Sequence, residues 1–176
     1  MIIKENIIPV GKLEEADFLN YENKVLPEEI IFFDLEHYVY KKPKCIGVFG
    51  ACIYNKEENI LQVTQYMIEN KREIKDILNL ALRYFKYMKE NGKKAISTFS
   101  GNNDFTVINY LFNKYNISYD FEAEFLSIDI QKAYEKSMKT SIGLKKLEKI
   151  FEIDRQGEVI SGSNLAKTFH KVMKDN

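Results

Sequence analysis

The chain has 176 residues, 45 % of them apolar and 30 % charged, with 26 basic side chains against 26 acidic ones. That length and balance suit one globular domain with a real core. They exclude a disordered chain and a nucleic-acid clamp that works through overall positive charge.

Charge is nonetheless placed unevenly. Between Glu14 and Glu36 there are eight acids and one base, Lys24, whereas six lysines and two acids lie between Lys132 and Lys149. The lysine run reads as a solvated helical face or as a local phosphate-contacting patch. No stretch has the length of a membrane span, and the charged N-terminus has no signal-peptide core. Cys45 and Cys52 stand at a spacing that no zinc module uses, so free thiols in a reducing compartment are expected. The sequence thus predicts a cytoplasmic protein that makes no use of a membrane, and it points to no protein partner.

In chain order, residues 1–29 are expected to be an irregular segment broken by Pro9, Gly11 and Pro27, with the folded domain over 30–176. Residues 30–36 read as a strand, 41–44 as a loop, and 45–54 as a second strand. A turn at 55–59 leads to a return strand over 60–67. The period then changes. Ile74, Ile77, Leu78, Ala81, Phe85 and Met88 predict a helix over 71–90. A short strand at 95–99 and a helical stripe from Val107 to Tyr115 follow, the latter entered through Asn102 and Asn103. Residues 121–130 hold another strand. Helices are expected around 144–151 and 165–172, with Ser163 as N-cap of the last. The order β-β-β-α-β-α-β-α, closed by a further helix, predicts an α/β fold: a mixed sheet with helices on its faces.

Three stretches carry candidate chemistry. In "IIFFDLEHYVY", Asp34 and Glu36 share one face of a strand, about 7 Å apart, because successive side chains alternate. Two like charges so placed need a cation to stay ionised together, and hard oxygen ligands suit Mg²⁺ or Mn²⁺. In "STFSGNNDFTVINYLF", Asp104 stands at a helix start beyond a strand, where it either complements the helix dipole or faces the first pair of acids. In "FLSIDIQKAY", Asp129 follows a strand, and N-capping and site chemistry are both open to it. His37 adjoins the first pair. Tyr38, Tyr40, Phe99 and Phe105 flank the acidic motifs, as rings that stack on single-stranded bases do, for ~1–3 kcal/mol per base. Lys41, Lys42 and Lys44 could meet phosphates.

These acids, together with the tail "IGLKKLEKIFEIDRQGEVISGSNLAKTF" and its Arg155, resemble the YprB-type RNase H-like exonucleases of the DEDD nuclease group. The resemblance runs from about residue 30 to the C-terminus. It implies an RNase H-like fold and hydrolysis of nucleic-acid phosphodiesters from the 3′ end of single-stranded DNA or RNA. It further implies two Mg²⁺ or Mn²⁺ ions, or one if the site is incomplete. Asp34 would bind both ions; Glu36 would bind one and orient the attacking water; Asp104 would hold the second. His37, Asn102, Asn103 and Phe105 would touch substrate. His37 stands where the family has threonine, and Phe105 follows its acid where the family's aromatic precedes it. The third acidic motif is not found among these residues, so a C-terminally short domain with impaired turnover is expected. Asp129 is a substitute acid, and a non-catalytic nucleic-acid-binding relative is the alternative.

Overall fold

Alternation along residues 30–36 sends Ile31, Phe33 and Leu35 into the core and leaves Phe32 and Asp34 exposed on the other face. That two-faced strand is the middle of the molecule. The computed structural model describes residues 1–11, 25–155 and 162–174. Within them a six-stranded mixed sheet is built from β1 (Ile2–Pro9), β2 (Ile30–Tyr40), β3 (Lys42–Asn55), β4 (Ile60–Met67), β5 (Ala95–Thr98) and β6 (Leu126–Asp129), in the spatial order β1-β4-β3-β2-β5-β6. Strands β1 to β4 pair antiparallel, whereas β2–β5 and β5–β6 are parallel.

The helices are α1 (Ile74–Glu90), α2 (Asn102–Lys114), α3 (Phe121–Glu124), α4 (Ile130–Met138), α5 (Leu144–Ile150) and α6 (Gly162–Lys174). Helix α1 buries Ile77, Leu78, Ala81 and Phe85, and α2 buries Ile108, Leu111 and Phe112, against Ile31, Phe33, Phe49 and Ile96 of the sheet. A small second cluster, Ile30, Ala95 and Ile128 with Val25 against it, fills the opposite face beneath the parallel strands.

Helix α6 docks on β2 through Phe169, whose ring occupies the space that a Cβ at Gly47 would need. The neighbouring His170 Nδ1 lies 2.6 Å from the Tyr38 hydroxyl. Arg155 makes a bidentate pair with Glu148 of α5, at 2.7 and 2.8 Å, which ties down the chain that leaves this helix.

Several expectations need correction. The irregular reading of residues 1–29 fails at its start, where residues 2–9 form β1 along an unbroken register with β4. This edge strand is solvated on both faces, so it shows no alternation to read. The loop expected at 41–44 shrinks to Lys41, at φ 60°, because Lys42 already pairs with Tyr40. Pro43 is tolerated beside a register shift, where the ladder is irregular anyway. The strand expected within 121–130 is present as β6, and ahead of it the Asp120 side chain accepts from the backbone N–H groups of Glu122 and Ala123 and winds the preceding turn into α3. The side chain of Ser163, residues 12–24 and residues 156–161 lie outside the described residues.

Both cysteines are free, and burial pushes the Cys45 thiol up to about 11. No described helix is long and apolar enough to cross a membrane.

Candidate active site

Strand β2 is antiparallel to β3 on one side and parallel to β5 on the other. Its acids therefore lie where the hairpin half of the sheet meets the α/β half. Asp34 is paired with Gly50, so no side chain from β3 hangs beside it. On the other flank the parallel register sets Phe32 against Ser97, and two residues further on β5 has ended and the chain turns toward α2.

That turn is shaped by two small residues. Ser100 adopts φ 59°, and a Cβ on Gly101 would come 2.1 Å from Thr98 Oγ1, so only glycine lets the chain fold back this tightly. The first turn of α2 is thereby set against the strand ends, and it carries Asp104 in third position.

Asp104 is 7 % exposed. An acid in the first turn of a helix is ordinarily stabilised as a carboxylate by the helix dipole. Here burial, followed by the charges of Asp34 and Glu36, wins and pushes its pKa up to about 7. Glu36 is raised by burial and then by Asp34, and Asp34 is raised by burial although the Leu35 backbone N–H opposes the shift. Asp34 stays open to solvent despite that desolvation by its neighbours. The three acids thus feel one another across the strand ends. Their donor set is all hard oxygen, which fits Mg²⁺ or Mn²⁺. Among the described residues, however, no group of three or more His, Cys, Asp or Glu side chains is gathered tightly enough to hold a metal ion by itself.

The family follows from comparison. A model of the RNase H superfamily matches residues 31–176. The chain belongs to the RNase H superfamily. No curated protein matches it. The superfamily's mixed sheet with flanking helices is the architecture described above, and nucleic acid is the substrate class that accompanies it.

Other residues singled out from the sequence fall in different places. Asp129 ends β6, beyond β5 from the first pair of acids, and caps α4. Its Oδ1 accepts from the backbone N–H groups of Ser100, Gln131 and Lys132 at 3.0–3.3 Å. The capping reading accounts for that oxygen, and Oδ2 lies 3.9 Å from Lys132 Nζ. Phe105 turns away from Asp104 into the helix-covered face, with ring centroids 6.0 Å from Phe33 and 5.5 Å from Phe121. There it lines a half-open cleft of about 440 Å³ with Asn109, Phe125 and Ser127. His37 sits at a register shift, half-buried, and burial lowers its pKa. Asn103 is exposed on the first turn of α2. The side chain of Asn102 lies outside the described residues.

Sequence reasoning overlooked Ser97 and Thr98. Both are buried at the end of β5, and their hydroxyls have no hydrogen-bond partner among the described residues. Ser97 shares the acid-bearing face, level with Phe32. The signal was the run Ser97-Thr98 closing a strand just before the glycine turn.

Proposed function

We propose that this RNase H superfamily member is a YprB-type nuclease. It shortens single-stranded DNA or RNA from the 3′ end in a reaction that depends on Mg²⁺ or Mn²⁺, and it works in the cytoplasm. One observation carries the reading: Asp104, buried, has its pKa pushed up to about 7 by burial and by the charges of Asp34 and Glu36. Three acids in mutual repulsion are costly unless a cation relieves them.

Asp34, Glu36 and Asp104 would hold the metal, which when bound supplies a water activated at neutral pH and charge stabilisation on the leaving oxygen. Glu36, the outer acid of the strand pair, would orient that water. Asn103, exposed at the helix start beside Asp104, would meet the substrate. Lys41 and Lys42, exposed at the tip of the β2–β3 hairpin, would contact the phosphate backbone without reading sequence.

The looser spacing of the acids favours one second reading, a nucleic-acid-binding relative that does not turn over. The test is incubation of a labelled single strand with Mn²⁺ or Mg²⁺, beside an Asp34→Ala control. Metal-dependent shortening that the substitution abolishes is the expected result. Salt-sensitive retention of the strand without shortening would leave the binding reading, and neither effect would remove both.

A further inference from the structure

The edge strand β1 has an apolar–polar pattern that is symmetric about Glu5: Ile2-Ile3, then Lys4-Glu5-Asn6, then Ile7-Ile8. Its apolar residues are not hidden. Ile3, Ile7 and Ile8 are 54, 66 and 46 % exposed. Edge strands of monomers are blunted by charged side chains, by shortness, by bulges or by an interior proline. Lys4 and Glu5 supply charge at the middle of β1, but the apolar pairs on either side of them carry none. The other devices are missing: β1 pairs with β4 over eight residues without a register shift and meets Pro9 only at its end. Among the described residues no strand pairs with its outer side, which presents a row of backbone N–H and C=O groups.

We propose that β1 pairs antiparallel with β1 of a second copy of this chain, about a two-fold axis through Glu5, joining two six-stranded sheets into one.

The register follows from geometry. An antiparallel pair related by a two-fold axis perpendicular to the sheet keeps each residue on its own face, so the paired positions must have an even sum. The sum of ten sets Ile2 opposite Ile8, Ile3 opposite Ile7, Lys4 opposite Asn6 and Glu5 opposite its own copy. Cross-strand pairs of large apolar side chains are then made on both faces of the ladder. Shifting the register by two in either direction sets Ile3 against Glu5, or Glu5 against Ile7, and loses the apolar matches.

The cost sits at the axis, where two glutamates meet. Arg83 of α1 is exposed and lines the same groove as Glu5 and Ile7, which brings positive charge to that face in each copy. The acids of β2 are unaffected, since β4 and β3 separate them from β1. Because the axis preserves faces, both sets of acids would open on the same side of the joined sheet.

The test measures molar mass in solution for the full chain and for Ile7→Lys, a substitution at an exposed position that leaves the monomer's core untouched. Circular dichroism confirms that the variant is folded. A dimer that Ile7→Lys converts to monomer is expected. Glu5→Gln, which removes the like charges, should tighten the dimer about two- to fivefold.

Single cysteines fix the register, because directly paired residues lie within reach of a disulfide. Under mild oxidation Glu5→Cys should cross-link to itself. Lys4→Cys and Asn6→Cys should cross-link when mixed but not alone. A monomer at every accessible concentration would overturn the proposal. So would a dimer that survives Ile7→Lys, or one that leaves Glu5→Cys unlinked.

Discussion

The ring of Phe169 lies 2.2–2.4 Å from where a Cβ at position 47 would stand, so Gly47 and Phe169 fit as socket and plug. Gly47 is also the residue skipped where the β2–β3 register shifts, between the pairs Glu36–Val48 and His37–Ile46. The last helix is thus docked immediately beside Glu36. Gly47→Ala should cost ~1–3 kcal/mol through overpacking. Phe169→Ala should cost ~3–5 kcal/mol through the cavity it leaves. The two costs should not add, because the smaller side chain at 169 makes room for the new methyl. Chemical denaturation of both single variants and the double variant measures this. Full additivity would show that the two residues are independent.

The pH dependence of stability has a definite sign. The Asp104 carboxyl has its pKa raised to about 7 in the folded chain, against 3.8 ordinarily. The folded state therefore holds a proton that the unfolded state releases, and stability falls as pH rises from about 4 to about 7. Asp104→Asn should remove that part of the slope and stabilise the metal-free protein above pH 7, by on the order of 2–4 kcal/mol at ~1.4 kcal/mol per pKa unit. Thermal melts between pH 4 and pH 8 test it. A variant with the parent's slope would show that the charges on Asp104 are not the cause.

Cation binding should compete with that proton. Mn²⁺ at a hundredfold excess over its Kd should stabilise the fold by about 2.7 kcal/mol. Below pH 7 its apparent affinity should fall, by up to about tenfold per unit, as the ion comes to displace a proton. Isothermal titration at pH 6 and pH 8, with Asp34→Ala beside the parent, checks both statements. An affinity that does not change with pH would separate the cation from Asp104.

Asp129 separates a cap from a catalytic acid. Asp129→Asn keeps an oxygen for the backbone N–H groups of Ser100, Gln131 and Lys132, so stability and any hydrolysis should both persist. Asp129→Ala should cost ~1 kcal/mol, the usual value of a lost cap. Loss of hydrolysis in Asp129→Asn, with stability intact, would return Asp129 to the site.

What could be read from the sequence depended on how one-sided each element is. Residues 31–35 alternate buried and exposed, so their period of two was plain, and Asp34 and Glu36 fell on the same side by necessity. Helix α1 announced itself for the same reason. β1 did not, because an edge strand wetted on both faces carries no period. The neighbourhood of Asp104 depends on a tertiary event, the pairing of β5 with β2, and nothing in the local pattern shows which acids that event will bring near. Asp129 was ambiguous because a helix cap and a metal ligand ask for the same residue type after a strand. Phe105 misled for a geometric reason. Neighbours in a helix point about 100° apart, so the ring beside a site acid is carried off that acid's face.

The mixed pairing of β2 has a bearing on how the chain matures. Strands β2, β3 and β4 are joined by short turns and can form early as a local meander. The union of β2 with β5 spans more than sixty residues and closes later, since the entropy of so large a loop must be overcome first. Only that closure brings Asp104 beside the other two acids. A half-finished molecule therefore holds the halves of its acidic centre apart, and any phosphodiester-cleaving capacity waits on completion of the fold.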